Sequence, residues 1–260
     1  MSNASDDTAS HPAQPLKQQL PQKKAAIARD VQTLLGMISH ELRTPIQTIL
    51  ANAEVMGLTQ LPPDAELALQ RVMRSIDVAL RRLDSITQFV RTSTDDREAT
   101  RRPFDLLALL RTVADDCEPE AAMNGQHVIV HSAACPPELD GDPDRLHQVL
   151  TNYVLNAVRH GQAGSPIDIE VRPARMAGSD RPALEIRVIN AGSGVPASQQ
   201  MAVWEPFVRS ESGPNRVKGM GLGLAVVRLV SDAAEWEVGG TSGEGKTTFW
   251  VRLPVPAKTD

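Results

Sequence analysis

Within "MISHELRTPIQTI", residues 37–49, His40, Glu41 and Thr44 are set close together. An imidazole is a nucleophile once one ring nitrogen is free of its proton. A carboxylate at the next position can draw the proton from the other nitrogen. A hydroxyl four residues on lies one helical turn away on the same face and can orient water. A solvated helix face would account for a lone histidine. It accounts less well for a nucleophile, a base and a water-positioning hydroxyl placed together.

The element that must hold these residues is a helix. Leu35, Ile38, Leu42, Pro45, Ile49, Ala53 and Met56 recur at 3–4 spacing. A second set runs Leu69, Val72, Ile76, Ala79, Leu83, Ile86 and Val90. These are the seams of helices that pack side by side. "GLTQLPPD" between them reads as a turn, with Asp64 as N-cap of the second helix. With Leu35, Ile38 and Leu42 on the seam, His40 falls on the outer face. Pro45 removes one backbone hydrogen bond and is expected to kink the helix just after it. One hairpin cannot cover both seams, so a homodimer through residues 31–94, a four-helix bundle, is expected.

A polar stretch at 95–103 separates this hairpin from a segment of different character. "FDLLALLRTVADDC" reads as a helix, and "HVIVHS", "IDIEVRP", "ALEIRVIN" and "TTFWVRLP" read as strands. Helices and strands mix without βαβ alternation, which points to an α+β sandwich with helices on one face of a mixed sheet. In "GDPDRLHQVLTNYVLNAVRHG", Asp142 suits an N-cap and Pro143 the first helical position. Arg145, Gln148, Asn152, Asn156 and Arg159 then form one polar stripe opposite Leu146, Leu150, Tyr153 and Ala157. Asparagine is a poor helix former. Two in register suggest amide oxygens for a hard cation such as Mg²⁺, which shares its shell with phosphate oxygens. "VINAGSGVP" ends a strand with glycines that permit close approach to a ligand. "KGMGLGLAVVRLV" sets Gly219, Gly221 and Gly223 before a helix, a backbone cradle for an anion.

In this order the motifs resemble the HisKA-type sensor histidine kinases. "SHELRTP" is similar to their H-box, and the later segments to the N, G1, F ("WEPFVR"), G2 and G3 boxes of their GHKL ATP-binding domain. The resemblance spans about residues 31–256. It implies that His40 is the phospho-acceptor, Glu41 its general base, and Thr44 the residue that orients water when the partner is dephosphorylated. It implies ATP and Mg²⁺ as cofactors: Asn156 would bind the metal with support from Asn152, Arg159 would reach phosphate, and His160 would lie near the nucleotide. Asn190, Gly192, Gly194, Gly219, Gly221, Leu222, Gly223, Leu224 and Thr248 would contact the nucleotide. Residues 209–218 would form a lid, with Arg216 and Lys218 toward the γ-phosphate. The phosphoryl group would pass to an aspartate on a separate response-regulator receiver domain.

Two departures stand out. Asn190 occupies a place that usually holds Asp, so an uncharged oxygen would accept the adenine amino group. "AAEWEV" replaces the usual His-Gly-Gly turn. Related ATPases carry Glu where this chain has Asn152, which cannot serve as a base near neutral pH. The base would then come from Glu41, which favours transfer to His40 over plain hydrolysis. The alternative is a catalytically weak dimeric adaptor, or a phosphatase-biased regulator, with ATP binding impaired at Asn190.

Whole-chain properties agree. The 260 residues carry a net charge of −5 with 3% aromatics, which disfavours a nucleic-acid binder. No run of about 18 apolar residues is present, so no membrane span is expected. Cys117 and Cys135 lack metal-ligand spacing and read as reduced thiols. The expected organisation is a flexible tail at 1–25, the phospho-acceptor hairpin at 26–94, the linker at 95–103, the ATP-binding domain at 104–256 and a tail at 257–260. Localisation is expected to be cytoplasmic, alone or as the cytoplasmic part of a longer, membrane-attached sensor.

Overall fold

The computed structural model describes residues 36, 38, 39, 41–93, 100–132, 138–208 and 220–255. His40, Cys135, Arg216, Lys218 and Gly219, the segment expected to form a lid, and the tails at 1–25 and 257–260 lie outside the described residues.

Helix α1 runs over 41–57, with residues 36, 38 and 39 also helical, and it continues through Pro45. Two turn bonds, Leu58 N–H to Val55 O and Thr59 N–H to Met56 O, close it. Helix α2 spans Pro63–Ser93. Asp64 does not cap it. The Glu66 N–H bonds to Pro62 O, so Pro63 takes the first helical position, where its missing N–H costs nothing, and Asp64 falls in the first turn. There, with Glu66, it complements the positive end of the helix.

The two helices meet through Thr87 Oγ1 and Ser39 Oγ, 2.8 Å apart, and an ion pair of Arg43 with Asp84. Ala53, Ile76 and Val90 are buried, whereas Leu42 is 44% and Ile49 52% exposed. The expected seam therefore divides. One part closes the hairpin; the other, with Ile38, Met56 and Val72, stays open in the single chain.

Beyond the hairpin, β1 (Arg102–Phe104) pairs antiparallel with β3 (Leu139–Gly141). The main sheet has five strands in the order β2-β4-β5-β7-β6, from β2 (Val128–His131), β4 (Ile167–Arg175), β5 (Pro182–Ala191), β6 (Glu237–Gly243) and β7 (Lys246–Pro254). Only β2–β4 is parallel among these pairs. Four strands were expected from alternation; β1, β3 and β6 are additional. The "AAEWEV" stretch turns at Glu235, whose φ is 57°, and leads into β6.

Helices α3 (Leu106–Ala122), α4 (Pro143–His160) and α5 (Gly223–Ala233) supply the rest of one core. Leu110, Leu150, Tyr153 and Val227 pack with Ile169, Ile186 and Val251. Tyr153 stacks on Phe249, centroids 5.5 Å apart, and its hydroxyl donates to Trp250 O at 2.9 Å. Burial raises its phenol well above the ordinary range and that of the Cys117 thiol to about 12. The alternate strand positions carry charge. Register aligns Arg172, Glu185, Arg252 and Glu237 across β4, β5, β7 and β6. Glu185 is 1% exposed and takes 2.6 Å ion pairs from both arginines.

Candidate functional site

Helix α4 begins as its sequence indicates. Asp142 Oδ1 accepts the Arg145 N–H at 3.0 Å and Oδ2 the Thr100 N–H at 3.1 Å, with Pro143 at the first position. This cap fixes the start of the polar stripe. Asn152, Asn156, Arg159 and His160 line a cleft of about 330 Å³. The stripe is therefore a wall of a site.

Across from the asparagines stands the start of α5. A Cβ on Gly223 would lie 3.1 Å from Asn152 Oδ1 and 3.6 Å from Asn156 Oδ1. Only glycine lets this backbone reach the amide oxygens without displacing them. Gly221 precedes it at φ +69°, and a Cβ there would meet Val208 O at 2.3 Å. Its carbonyl accepts the N–H of Phe207, a residue itself at φ 66°. Among the described residues no side chain caps α5, which leaves its first N–H groups to an anion. Leu222, 2% exposed, and Leu224, 8%, fasten this turn to the core.

Strands β5 and β7 form the floor. Asn190 is buried, with Nδ2 donating to Ala191 O at 2.9 Å, which leaves Oδ1 as its acceptor. Gly194 lines the cleft. Gly192 stands behind it, bonded through N–H to Gly245 O. Thr248 does not line the cleft. Thr247 does, because it faces Asn190 in the β5–β7 register while Thr248 faces Ile189, and side chains alternate along a strand. Arg159 is held by Glu120 of α3 at 3.5 Å.

One wall went unforeseen. Val78, Arg81, Arg82, Asp84, Ser85 and Gln88 of α2 also line the cleft. Their periodicity marks a helix face, but the distance in sequence hides what the face meets. The contacts that hold it include a Gln148 Nε2 donation to Thr92 Oγ1 at 2.9 Å and the approach of Phe89 to Phe207, with centroids 6.4 Å apart. Glu41 and Thr44 are exposed on α1 and are not brought to the cleft. Arg43, between Glu41 and Thr44, forms an ion pair with Asp84 of the cleft wall.

A mixed sheet carrying helices on one face, a glycine turn opposed to two helical asparagines, and a preceding helical hairpin define an ATP-binding GHKL domain joined to a helical phospho-acceptor unit. Residues 141–257 match the family model described as histidine kinase-, DNA gyrase B-, and HSP90-like ATPase. Residues 30–94 match the His Kinase A (phospho-acceptor) domain. The chain belongs to the HisKA-type sensor histidine kinases. It is 29% identical over 236 residues to the autoinducer 2 sensor kinase/phosphatase LuxQ of Vibrio harveyi, covering 90% of this chain and 27% of LuxQ. It is 30% identical over 219 residues to the sensor histidine kinase TrcS of Mycobacterium tuberculosis, covering 84% of this chain and 42% of TrcS. Full-length ShkA, solved with AMPPNP, aligns with TM-score 0.65 at 27% identity over 88% of this chain and 47% of ShkA. The chain spans about a quarter of the length of the first curated relatives it matches.

Proposed function

We propose that this chain is a histidine kinase core that phosphorylates His40 from Mg-ATP and passes the phosphoryl group to an aspartate of a separate response regulator. The observation that carries this reading is the approach of the Gly223 backbone to the Asn152 and Asn156 amide oxygens. Polyphosphate oxygens fit between an uncapped helix start and neutral oxygen ligands. Asn156 lines this cleft, and its amide oxygen together with phosphate oxygens would make a set that suits Mg²⁺. Bound there, the ion would neutralise phosphate charge as transfer proceeds.

In the transfer, a His40 ring nitrogen forms a bond to the terminal phosphorus, the bond to the bridging oxygen breaks, and ADP departs. Glu41 takes the proton from the other ring nitrogen. Thr44 orients water for hydrolysis of the regulator's acyl phosphate, the phosphatase activity. Asn190 Oδ1 accepts from the adenine amino group. Because Glu41 and Thr44 stand away from the cleft, the ATP-binding domain must swing or act on the partner's helix. The open apolar face of Ile38, Leu42, Ile49, Met56 and Val72 is taken as the homodimer surface. No helix among the described residues is long and apolar enough to cross a membrane. We place this core in the cytoplasm, alone or as the cytoplasmic part of a longer, membrane-attached sensor.

The test is incubation with labelled ATP and Mg²⁺. Acid-labile, base-stable label that vanishes in His40→Ala supports the reading, and label that persists defeats it. Calorimetry separates the adaptor alternative, for which ATP would not bind measurably even at millimolar concentration.

A further inference from the structure

We propose that α2 adds a phosphate clamp to the nucleotide cleft: Arg81 and Arg82 of the same chain bind the terminal phosphates. The inference rests on the nucleotide reading above and goes beyond it, because it assigns ligand contacts to the phospho-acceptor hairpin itself.

Charge accounting in the cleft points to these two residues. Asp84 is paired with Arg43, and Glu120 with Arg159. Arg81 and Arg82 line the same cleft, and among the described residues their guanidinium groups have no hydrogen-bond or ion-pair partner. Adjacent like charges on one helix repel, and a polyphosphate would relieve that repulsion while being held bidentately by planar forks. Gln148, which bonds to Thr92, lies one turn before Asn152 on α4 and accepts from Asn152 Nδ2 at 2.9 Å. The last turn of α2 is thereby anchored beside α4, and Arg81 and Arg82, about three turns earlier on the same helix, line the cleft together with Asn152, Asn156 and Gly223. Arg81 and Arg82 are exposed, so a solvated, unused face is the competing account.

The experiment is calorimetric titration of the whole chain with Mg²⁺ and a non-hydrolysable ATP analogue, ADP or AMP. In the Arg81→Gln/Arg82→Gln double variant, affinity for the ATP analogue should fall about tenfold, ADP less, and AMP not at all, as for two partly screened charge contacts. Arg81→Lys/Arg82→Lys should recover part of the loss, since charge survives without the fork. Unchanged affinity for the ATP analogue overturns the clamp. A loss shared equally by AMP also overturns it, since the arginines would then support the domain rather than the terminal phosphates. If the native chain binds none of the three nucleotides, the nucleotide reading fails and the clamp with it.

Discussion

Gln148 on α4 and Thr92 in the last turn of α2 are joined by a 2.9 Å hydrogen bond from Nε2 to Oγ1. It ties the phospho-acceptor hairpin to the helix that carries both asparagines. Thr92→Val removes the acceptor and leaves a half-buried amide unpaired, so unfolding free energy should fall by about 1 kcal/mol. Adding Gln148→Leu should cost less than the sum of the single changes, the signature of direct coupling in a double-mutant cycle. Chemical denaturation of the four proteins measures it.

Gly223→Ala tests the nucleotide site without touching a charged group. Alanine suits a helix better than glycine, and φ at this position does not demand glycine, so the thermal midpoint should hold. The added methyl would stand 3.1 Å from Asn152 Oδ1. Nucleotide affinity should drop about tenfold, equivalent to about 1.4 kcal/mol. Equal affinity by calorimetry would show that the asparagine–glycine approach plays no part in binding.

The open face of α1 predicts an assembly. Leu42→Asp or Ile49→Asp sets two carboxylates into a symmetric apolar contact. Each substitution forfeits about 1.5–3 kcal/mol of side-chain burial per protomer. Light scattering should report a two-chain mass for the native protein and a one-chain mass for either variant. A native one-chain mass at micromolar concentration would contradict the dimer.

Acid stability should depend on Glu118. Its carboxylate takes a 2.8 Å bond from the His127 ring and a 3.2 Å bond from the Val128 N–H. The His127 bond first, then the Val128 N–H, hold its pKa below the ordinary value of 4.5. A carboxylate depressed in the folded state contributes stability above its unfolded pKa and loses it as pH falls through the folded value. Glu118→Gln should therefore be less stable than the native protein at pH 7, with the gap closing below pH 4.5. Its side chain is 41% exposed, so screening keeps the gap small. Urea titrations at the two pH values decide it.

Much of this molecule is legible locally. The Asp142–Pro143 start of α4, its asparagine stripe and the glycine turn before α5 are short-range patterns, and they recur in the structure. The features that escape are long-range. "EVGGTSG" has little strand propensity, yet it forms β6 because Trp250 and Phe249 of the neighbouring strand occupy the space above Gly239 and Gly240, where a Cβ would stand 2.2 and 2.8 Å from their rings. Thr247 and Thr248 are indistinguishable until the register fixes which one faces Asn190. The α2 wall of the cleft involves contacts such as Thr92–Gln148, between residues 56 apart in sequence, which periodicity cannot pair.

The buried carboxylate of Glu185 has a further meaning for how the sheet finds its alignment. Apolar–polar alternation forbids a slip of one residue but tolerates a slip of two, since every side chain would keep its face. A slip of two between β4 and β5 would bring Glu185 opposite Glu170 or Ala174 rather than Arg172, and between β5 and β7 opposite Trp250 or Pro254 rather than Arg252. Either error would leave a desolvated anion with a like charge or with no counterion across the strand. The row of charge on the far side of the sheet thus acts as a vernier, separating the true alignment from neighbours that hydrophobicity alone would accept.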